Sequence, residues 1–240
     1  MASTVNNTHV PLDDEWTYIA ALVDTSGSMA AINPSNTAKE LTKLIKEQKG
    51  TKVTTTLATF STKYKIIKKN IDAKDFSVSI EEIYPTGSTA IQESFCKLID
   101  DVGKELSEMT DKRPGKIIFI ILTDGEENAS TEQYAGINGL NLLREKITHQ
   151  QSVYNWFFYL LAANMDAVLL GKKYGIPEGF CISYYYSQFG CSNVMGSASA
   201  AINRLISIPS CDLNQNKERY VQTMSFTQEE RFNSIKPDEH

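Results

Sequence analysis

Asp24, Ser26 and Ser28 occupy alternate positions in the stretch Leu22-Val23-Asp24-Thr25-Ser26-Gly27-Ser28, directly after the apolar run Tyr18–Val23. Side chains at alternate loop positions can point the same way, and Gly27 permits a tight bend between them. Two further segments carry oxygen donors at comparable places, Thr86-Gly87-Ser88-Thr89 and Leu122-Thr123-Asp124-Gly125, the second directly after an apolar run that begins at Ile117. Carboxylates and hydroxyls gathered without histidine or cysteine suit a hard cation. Magnesium takes oxygen ligands in an octahedron at about 2.0–2.1 Å and keeps several waters. The aspartates Asp24 and Asp124 roughly balance a divalent charge, and the hydroxyls of Ser26, Ser28 and Thr89 fill positions without adding negative charge. Such an ion stays electrophilic and accepts one more anionic ligand, so the set suits capture of an external carboxylate better than a closed structural cage.

Each residue also has a local reading. Asp24 can end a strand and cap a turn. Thr89-x-x-Gln92 matches a capping box, as does Ser130-x-x-Gln133, and Thr86 offers the same hydroxyl as Thr89. Glu126 and Glu127 read as a solvated rim that could repel very acidic partners. Asn164 reads as a turn before a helix, Tyr184 to Tyr186 as strand packing with one ring beside the crevice, and Lys39, Lys43, Lys46 and Lys49 as a solvated helix face.

These residues need strands that deliver them to one place. Tyr18–Val23, Ile117–Leu122 and Trp156–Ala163 are unbroken apolar runs, the pattern of strands covered on both faces. Val53–Phe60 and Phe180–Tyr186 add two more, and Tyr64–Lys68 can hairpin onto Val53–Phe60 because only three residues intervene. Helical periods fall between them. Asn33-Pro34 opens one that Gly50 closes, Ile91 to Met109 trace one face of a second, and Ile137 to Ile147 a third with His149 in its last turn. Asp166 caps a short helix ending near Gly175, and a last helix runs from about Ser192 to Ile206. Alternating strands and helices make an α/β fold, in which ligands sit beyond the carboxyl ends of the strands where strand order reverses.

The chain has 240 residues, 41% hydrophobic, 10% aromatic and 22% charged, with a formal net charge of −5. A domain of this size can bury a sizeable core. With no basic field, neither nucleic acid nor an anionic membrane is an expected partner. The four cysteines, Cys96, Cys181, Cys191 and Cys211, fit no zinc spacing and no dense disulfide framework. They read as reduced thiols of a cytoplasmic protein. Residues 1–14 lack the apolar segment of a signal peptide and no run approaches a membrane span. The expected division is an N-terminal extension over 1–14, the α/β domain over 15–208 and a polar, partly ordered tail over 209–240.

Asp-x-Ser-x-Ser after a buried first strand, a later Gly-x-Thr and a Thr-Asp-Gly after the fourth strand together resemble the von Willebrand factor type A (vWA) domain. The resemblance covers about residues 15–208, and all five positions match. It implies a Rossmann-like three-layer α/β/α fold, with a mainly parallel six-stranded sheet and one short antiparallel edge strand. It also implies a metal-ion-dependent adhesion site (MIDAS), in which Ser26, Ser28 and Thr89 bind the metal directly while Asp24 and Asp124 hold it largely through water. The ion implied is Mg2+, with Mn2+ or Ca2+ as substitutes, and a protein partner's Glu or Asp completes the shell. Leu161 to Asp166 is similar to intracellular stand-alone members from bacteria and phages.

The expected function is therefore a non-enzymatic, metal-dependent protein-binding module. The alternative is a metal-assisted phosphatase or phosphotransferase with Asp24 as nucleophile. An aspartate after the first strand resembles the haloacid-dehalogenase fold, but that family has a second aspartate two residues on, where this chain has Ser26. The histidines, His9, His149 and His240, fall at the chain ends or a helix end, leaving no obvious base for the crevice.

Overall fold

The computed structural model describes residues 10–31 and 33–236. Its centre is a six-stranded sheet in the order β3-β2-β1-β4-β5-β6. The strands are β1 (Leu12–Asp24), β2 (Lys52–Phe60), β3 (Tyr64–Asp72), β4 (Arg113–Thr123), β5 (Phe157–Ala163) and β6 (Cys181–Tyr184). All pair in parallel except β3, which runs antiparallel to β2. The expected architecture is thus the one observed.

The chain leaves β1 in one direction through β2 and β3, then returns to its other side for β4, β5 and β6. The reversal of strand order lies between β1 and β4, whose register pairs Val23 with Leu122. Asp24 therefore ends its strand beside Thr123, and the switch point falls where the sequence places its carboxylates. Trp16 to Asp24 are buried without a break, as are Lys116 to Thr123 and all of β5. The reason is coverage on both faces. The helices α2 (Ile91–Glu108), α3 (Gly136–Val153) and α4 (Ala167–Tyr174) pack in sequence on one side, and α1 (Pro34–Lys46) packs with α5 (Gln188–Ile206) on the other. Phe95 of α2, Phe119 of β4 and Phe158 of β5 form an aromatic cluster with centroids 4.9–6.4 Å apart, which ties that helix layer to the middle of the sheet.

Local signals hold in part. The Asn33 side chain caps α1 by accepting from Ser35 N, Asp166 caps α4 by accepting from Leu169 N, and Gly175 ends α4 in the left-handed region at φ 81°. Lys39, Lys43, Lys46 and Lys49 are exposed as expected. The two capping boxes do not form, because α2 and α3 begin at Ala90 and Ala135 with no side-chain cap of their own. β3 extends to Asp72, beyond the Lys68 that the sequence suggests, since antiparallel pairing with β2 continues past two irregularities to Thr54.

The two ends differ most from the sequence reading. Residues 1–9 of the expected extension lie outside the described residues, but Leu12 and Asp13 already pair with β4. The segment read as a partly ordered tail forms α6 (Ser210–Met224) and α7 (Gln228–Ser234). Leu213, Met224 and Phe226 of this segment are buried, and Met224 O accepts a hydrogen bond from the Tyr159 hydroxyl (2.8 Å). A few apolar anchors in a polar stretch, with a break in helical geometry at Asn216, leave little periodicity to read. All four cysteines are free, three of them buried. Among the described residues no helix is long and apolar enough to cross a membrane.

Candidate functional site

Asp24 is buried, 1% exposed, as is Ser26. Its Oδ1 accepts from Ser26 N (2.8 Å) and its Oδ2 from Thr123 Oγ1 (2.7 Å). The loop after it turns at once. Ser26 is buried, Ser28 is exposed, and their hydroxyls lie 3.1 Å apart. Ser28 Oγ donates to Asp124 Oδ1 (2.8 Å). Four of the five residues expected at the site, Asp24, Ser26, Ser28 and Asp124, are thus linked by direct hydrogen bonds.

The fifth, Thr89, arrives on the loop before α2. Gly27 N donates to Gly87 O (2.9 Å) and Thr86 N to Thr25 O (2.7 Å), so this loop is stitched backbone to backbone onto the one after β1. Gly87 also lets this loop lie against the turn between β2 and β3. Its φ is +76°, and a Cβ there would come within 2.7 Å of Thr62 Oγ1. Thr89 is buried, whereas Thr86 and Ser88 are exposed. Thr89 Oγ1 lies 3.1 Å from where a Cβ on Gly125 would sit, beside the Asp124 backbone. Its hydroxyl makes no hydrogen bond among the described residues, and so retains free oxygen lone pairs inside the crevice.

Two carboxylates meet here, and among the described residues neither forms an ion pair. Burial is the main cause that lifts the Asp24 pKa from 3.8 to about 6. Hydrogen bonds from Thr123 and Ser26 oppose it and the charge of Asp124 adds to it. A buried carboxylate next to another, surrounded by hydroxyl oxygens, is the donor chemistry that fits a hard divalent cation. The residues present therefore fit the ion that the sequence implies.

Three neighbours act differently from their sequence reading. Glu127 is no simple rim residue. Its Oε2 accepts from Gln92 N (2.8 Å) in the first turn of α2, and its Oε1 accepts from Ala129 N (2.9 Å) and Ser130 N (2.7 Å). A carboxylate on the loop after β4 thus caps the helix that follows Thr89. Glu126 keeps its expected place at the rim, 79% exposed in its side chain and 4.0 Å from Lys173. Tyr185 and Tyr186 lie beyond β6. The Tyr186 hydroxyl reaches Asp124 Oδ2 (2.9 Å) and the Ser28 carbonyl, and Asn164 Oδ1, at a residue with φ 49°, accepts from Tyr186 N (3.0 Å). Asn164 thus fixes the tyrosine that covers the crevice. Only the ring-beside-the-crevice option in the tyrosine-rich run pointed to this contact.

No protein-family profile matches the chain, and no curated protein matches it in sequence. Solved structures do. A von Willebrand factor type A protein from Catenulispora acidiphila aligns with a TM-score of 0.52 at 14% identity, over 78% of this chain and 43% of that one. Proximal thread matrix protein 1 from the mussel byssus, solved with a zinc-occupied MIDAS motif, aligns with a TM-score of 0.51 at 16% identity, over 76% of this chain and 44% of that one. The vWF domain of the type V pili tip protein Mfa5 from Porphyromonas gingivalis aligns with a TM-score of 0.55 at 10% identity, over 83% of this chain and 97% of that one. The chain spans less than half the length of the first two. At these identities the likeness establishes the fold, which is that of a vWA domain.

Proposed function

We propose that this protein is a metal-dependent binding module that captures an acidic residue of a protein partner through a divalent ion, Mg2+ in the first instance. One observation carries the reading. Two carboxylates and three hydroxyls from three separate loops come together at the strand switch point, and among the described residues no cationic side chain pairs with either carboxylate. Ser26, Ser28 and Thr89 would supply neutral oxygens, and Asp24 and Asp124 the charge. When bound, the ion supplies an electrophilic centre that a partner's Glu or Asp can ligate. The mussel protein of the same fold, with zinc in its MIDAS motif, lends support to a divalent ion at this position.

The module is read as non-enzymatic. Both Asp24 oxygens already accept hydrogen bonds, from Ser26 and Thr123, which lowers the nucleophilicity that a phosphatase would require of it. His149, the histidine among the described residues, lines a cavity at the other end of the sheet. A cytoplasmic setting accords with the free thiols.

Binding of Mg2+ at 100 times its dissociation constant stabilises the native state by about 2.7 kcal/mol. For a chain of this size that raises Tm by about 5–10 °C. Asp24→Ala removes most of that increment while circular dichroism stays native, and it also abolishes Mg2+-dependent capture of partner from host lysate. An equal Mg2+ shift in the variant rejects the site, and phosphate-ester turnover lost in Asp24→Asn but kept in Thr89→Ala supports the enzymatic alternative.

A further inference from the structure

We propose that the opposite end of the sheet holds a second site, which binds a small amphipathic monocarboxylate with Arg113 as its anion receptor. A cavity of about 640 Å3 opens there, at the N-terminal ends of β1 and β4 and the C-terminal ends of α2 and α3, within the usual size of a small-molecule site. Leu106, Ile117 and Trp156 form its apolar wall. Leu12, Val153 and Tyr154 stand around it 47%, 55% and 59% exposed. Single exposed apolar residues are ordinary, but a cluster around one concavity marks a binding surface.

The polar groups select the ligand's charge. Arg113 makes one long hydrogen bond, from Nη2 to Ser107 O (3.3 Å). Its Nε is buried with no acceptor, and no carboxylate pairs with it among the described residues. Among the described residues no aspartate or glutamate lines the cavity. A guanidinium offers a planar fork that matches a carboxylate, and a buried donor without a partner is costly until an acceptor reaches it. Gln150, also on this lining, holds a second buried polar atom without a partner, its Oε1. The His149 ring, 5.6 Å edge-on to that of Tyr154, completes an aromatic flank suited to an alkyl or aryl body. The complement is an apolar chain or ring that ends in one carboxylate.

Octanoate is the probe, with 1-octanol and octylammonium as neutral and cationic matches of the same chain length. Titration calorimetry on the full chain, alongside the fluorescence of Trp156, reads the binding. Octanoate saturates one site and binds on the order of tenfold or more tighter than octanol, octylammonium does not bind, and EDTA changes nothing. Arg113→Met brings octanoate down to the octanol level. Val153→Glu places a carboxylate at an exposed position of the mouth and weakens octanoate severalfold with Tm unchanged, which decides the matter if Arg113→Met fails to fold. Equal binding of octanoate and octanol, no saturable octanoate binding into the millimolar range, or undiminished binding in folded Arg113→Met or in Val153→Glu each overturns the proposal.

Discussion

At the scale of single residues, the pressure at the crevice falls on Asp24. Its folded pKa, about 6, lies above its ordinary 3.8, so the native state holds this proton more tightly than the unfolded chain. Without metal, the stability it contributes is fully present below about pH 4 and is lost as pH rises through 6. Asp24→Asn, measured in EDTA at pH 7, should therefore raise stability by about 1–2 kcal/mol, part of the roughly 3 kcal/mol that a shift from 3.8 to about 6 represents at ~1.4 kcal/mol per unit. The gain vanishes near pH 4. Under the proposed function, saturating Mg2+ should reverse the order, because only the wild type carries the Asp24 carboxylate, and the metal increment should fade as pH drops below 6. Thermal melts at the two pH values, with and without metal, give all four quantities. A variant less stable than wild type in EDTA at pH 7 would show that hydrogen bonding outweighs desolvation. Tyr186 adds a related expectation. Its hydroxyl has one proton for two acceptors, Asp124 and the Ser28 carbonyl, and under the proposed function it would compete with the ion for Asp124. Tyr186→Phe should bind Mg2+ about two- to tenfold tighter by calorimetry, a modest share of the worth of a hydrogen bond to a charged group.

At the scale of elements, the first turn of α2 is held by carboxylates rather than by a local cap. Glu127 accepts Gln92 N from the far loop, and Glu93 Oε2 accepts from Thr131 N and Oγ1 (both 2.8 Å). Burial works against the ionised Glu93, but hydrogen bonds from Lys97 and Thr131 outweigh it and hold its pKa below 4.5. That stability is present above 4.5 and is lost as pH falls below it. Glu127→Gln keeps one acceptor oxygen but turns an amide toward backbone donors. It should cost about 1–2 kcal/mol, about 3–6 °C in Tm, and should weaken Mg2+ binding because the loop that positions Thr89 is loosened. A Tm unchanged within error would deny Glu127 that role.

What was legible follows from range. The strands were readable because coverage on both faces demands unbroken apolar runs, as at Tyr18–Val23 and Ile117–Leu122. The meeting of Asp24 and Asp124 was readable because they end two of those runs, and adjacent strands bring such ends together. The capping boxes at Thr89 and Ser130 misled because they are local patterns. The Ser130 hydroxyl donates instead to Glu127 Oε2 (2.6 Å) and accepts from Glu93 N (3.1 Å). The work of Glu127 and Tyr186 depends on partners 35 and 62 residues away, a distance over which residue spacing carries no signal.

At the scale of the whole molecule, α6 and α7 form a belt that closes the α5 side and the β6 edge, and Arg204 ties both of its helices to α5. Arg204 of α5 donates through Nε to Thr223 O (2.8 Å) and through Nη2 to Ser225 O (2.9 Å). It also forks onto both oxygens of Glu230 (2.8 and 3.0 Å). Glu230 in turn completes a capping box with Thr227 at the start of α7. Arg231 of α7 reaches Cys181 O and Glu178 O, and Ser234 O accepts from Tyr185 N, one residue from the tyrosine over the crevice. Losing Arg204 strands two carbonyls and a carboxylate whose side chain is 16% exposed. The fully buried penalty of 3–5 kcal/mol must be discounted, because Arg204 itself is 30% exposed. Arg204→Met should therefore cost about 2–3 kcal/mol and lower Tm by about 5–10 °C. The polar segment between Pro209 and Thr227 should be cleaved sooner in limited proteolysis, since cleavage of a locally opened segment follows its opening free energy. A drop in Tm without earlier cleavage there would place the loss in the core instead. A native Tm would mean that the packing of Leu213, Met224 and Phe226 holds the belt without its clasp.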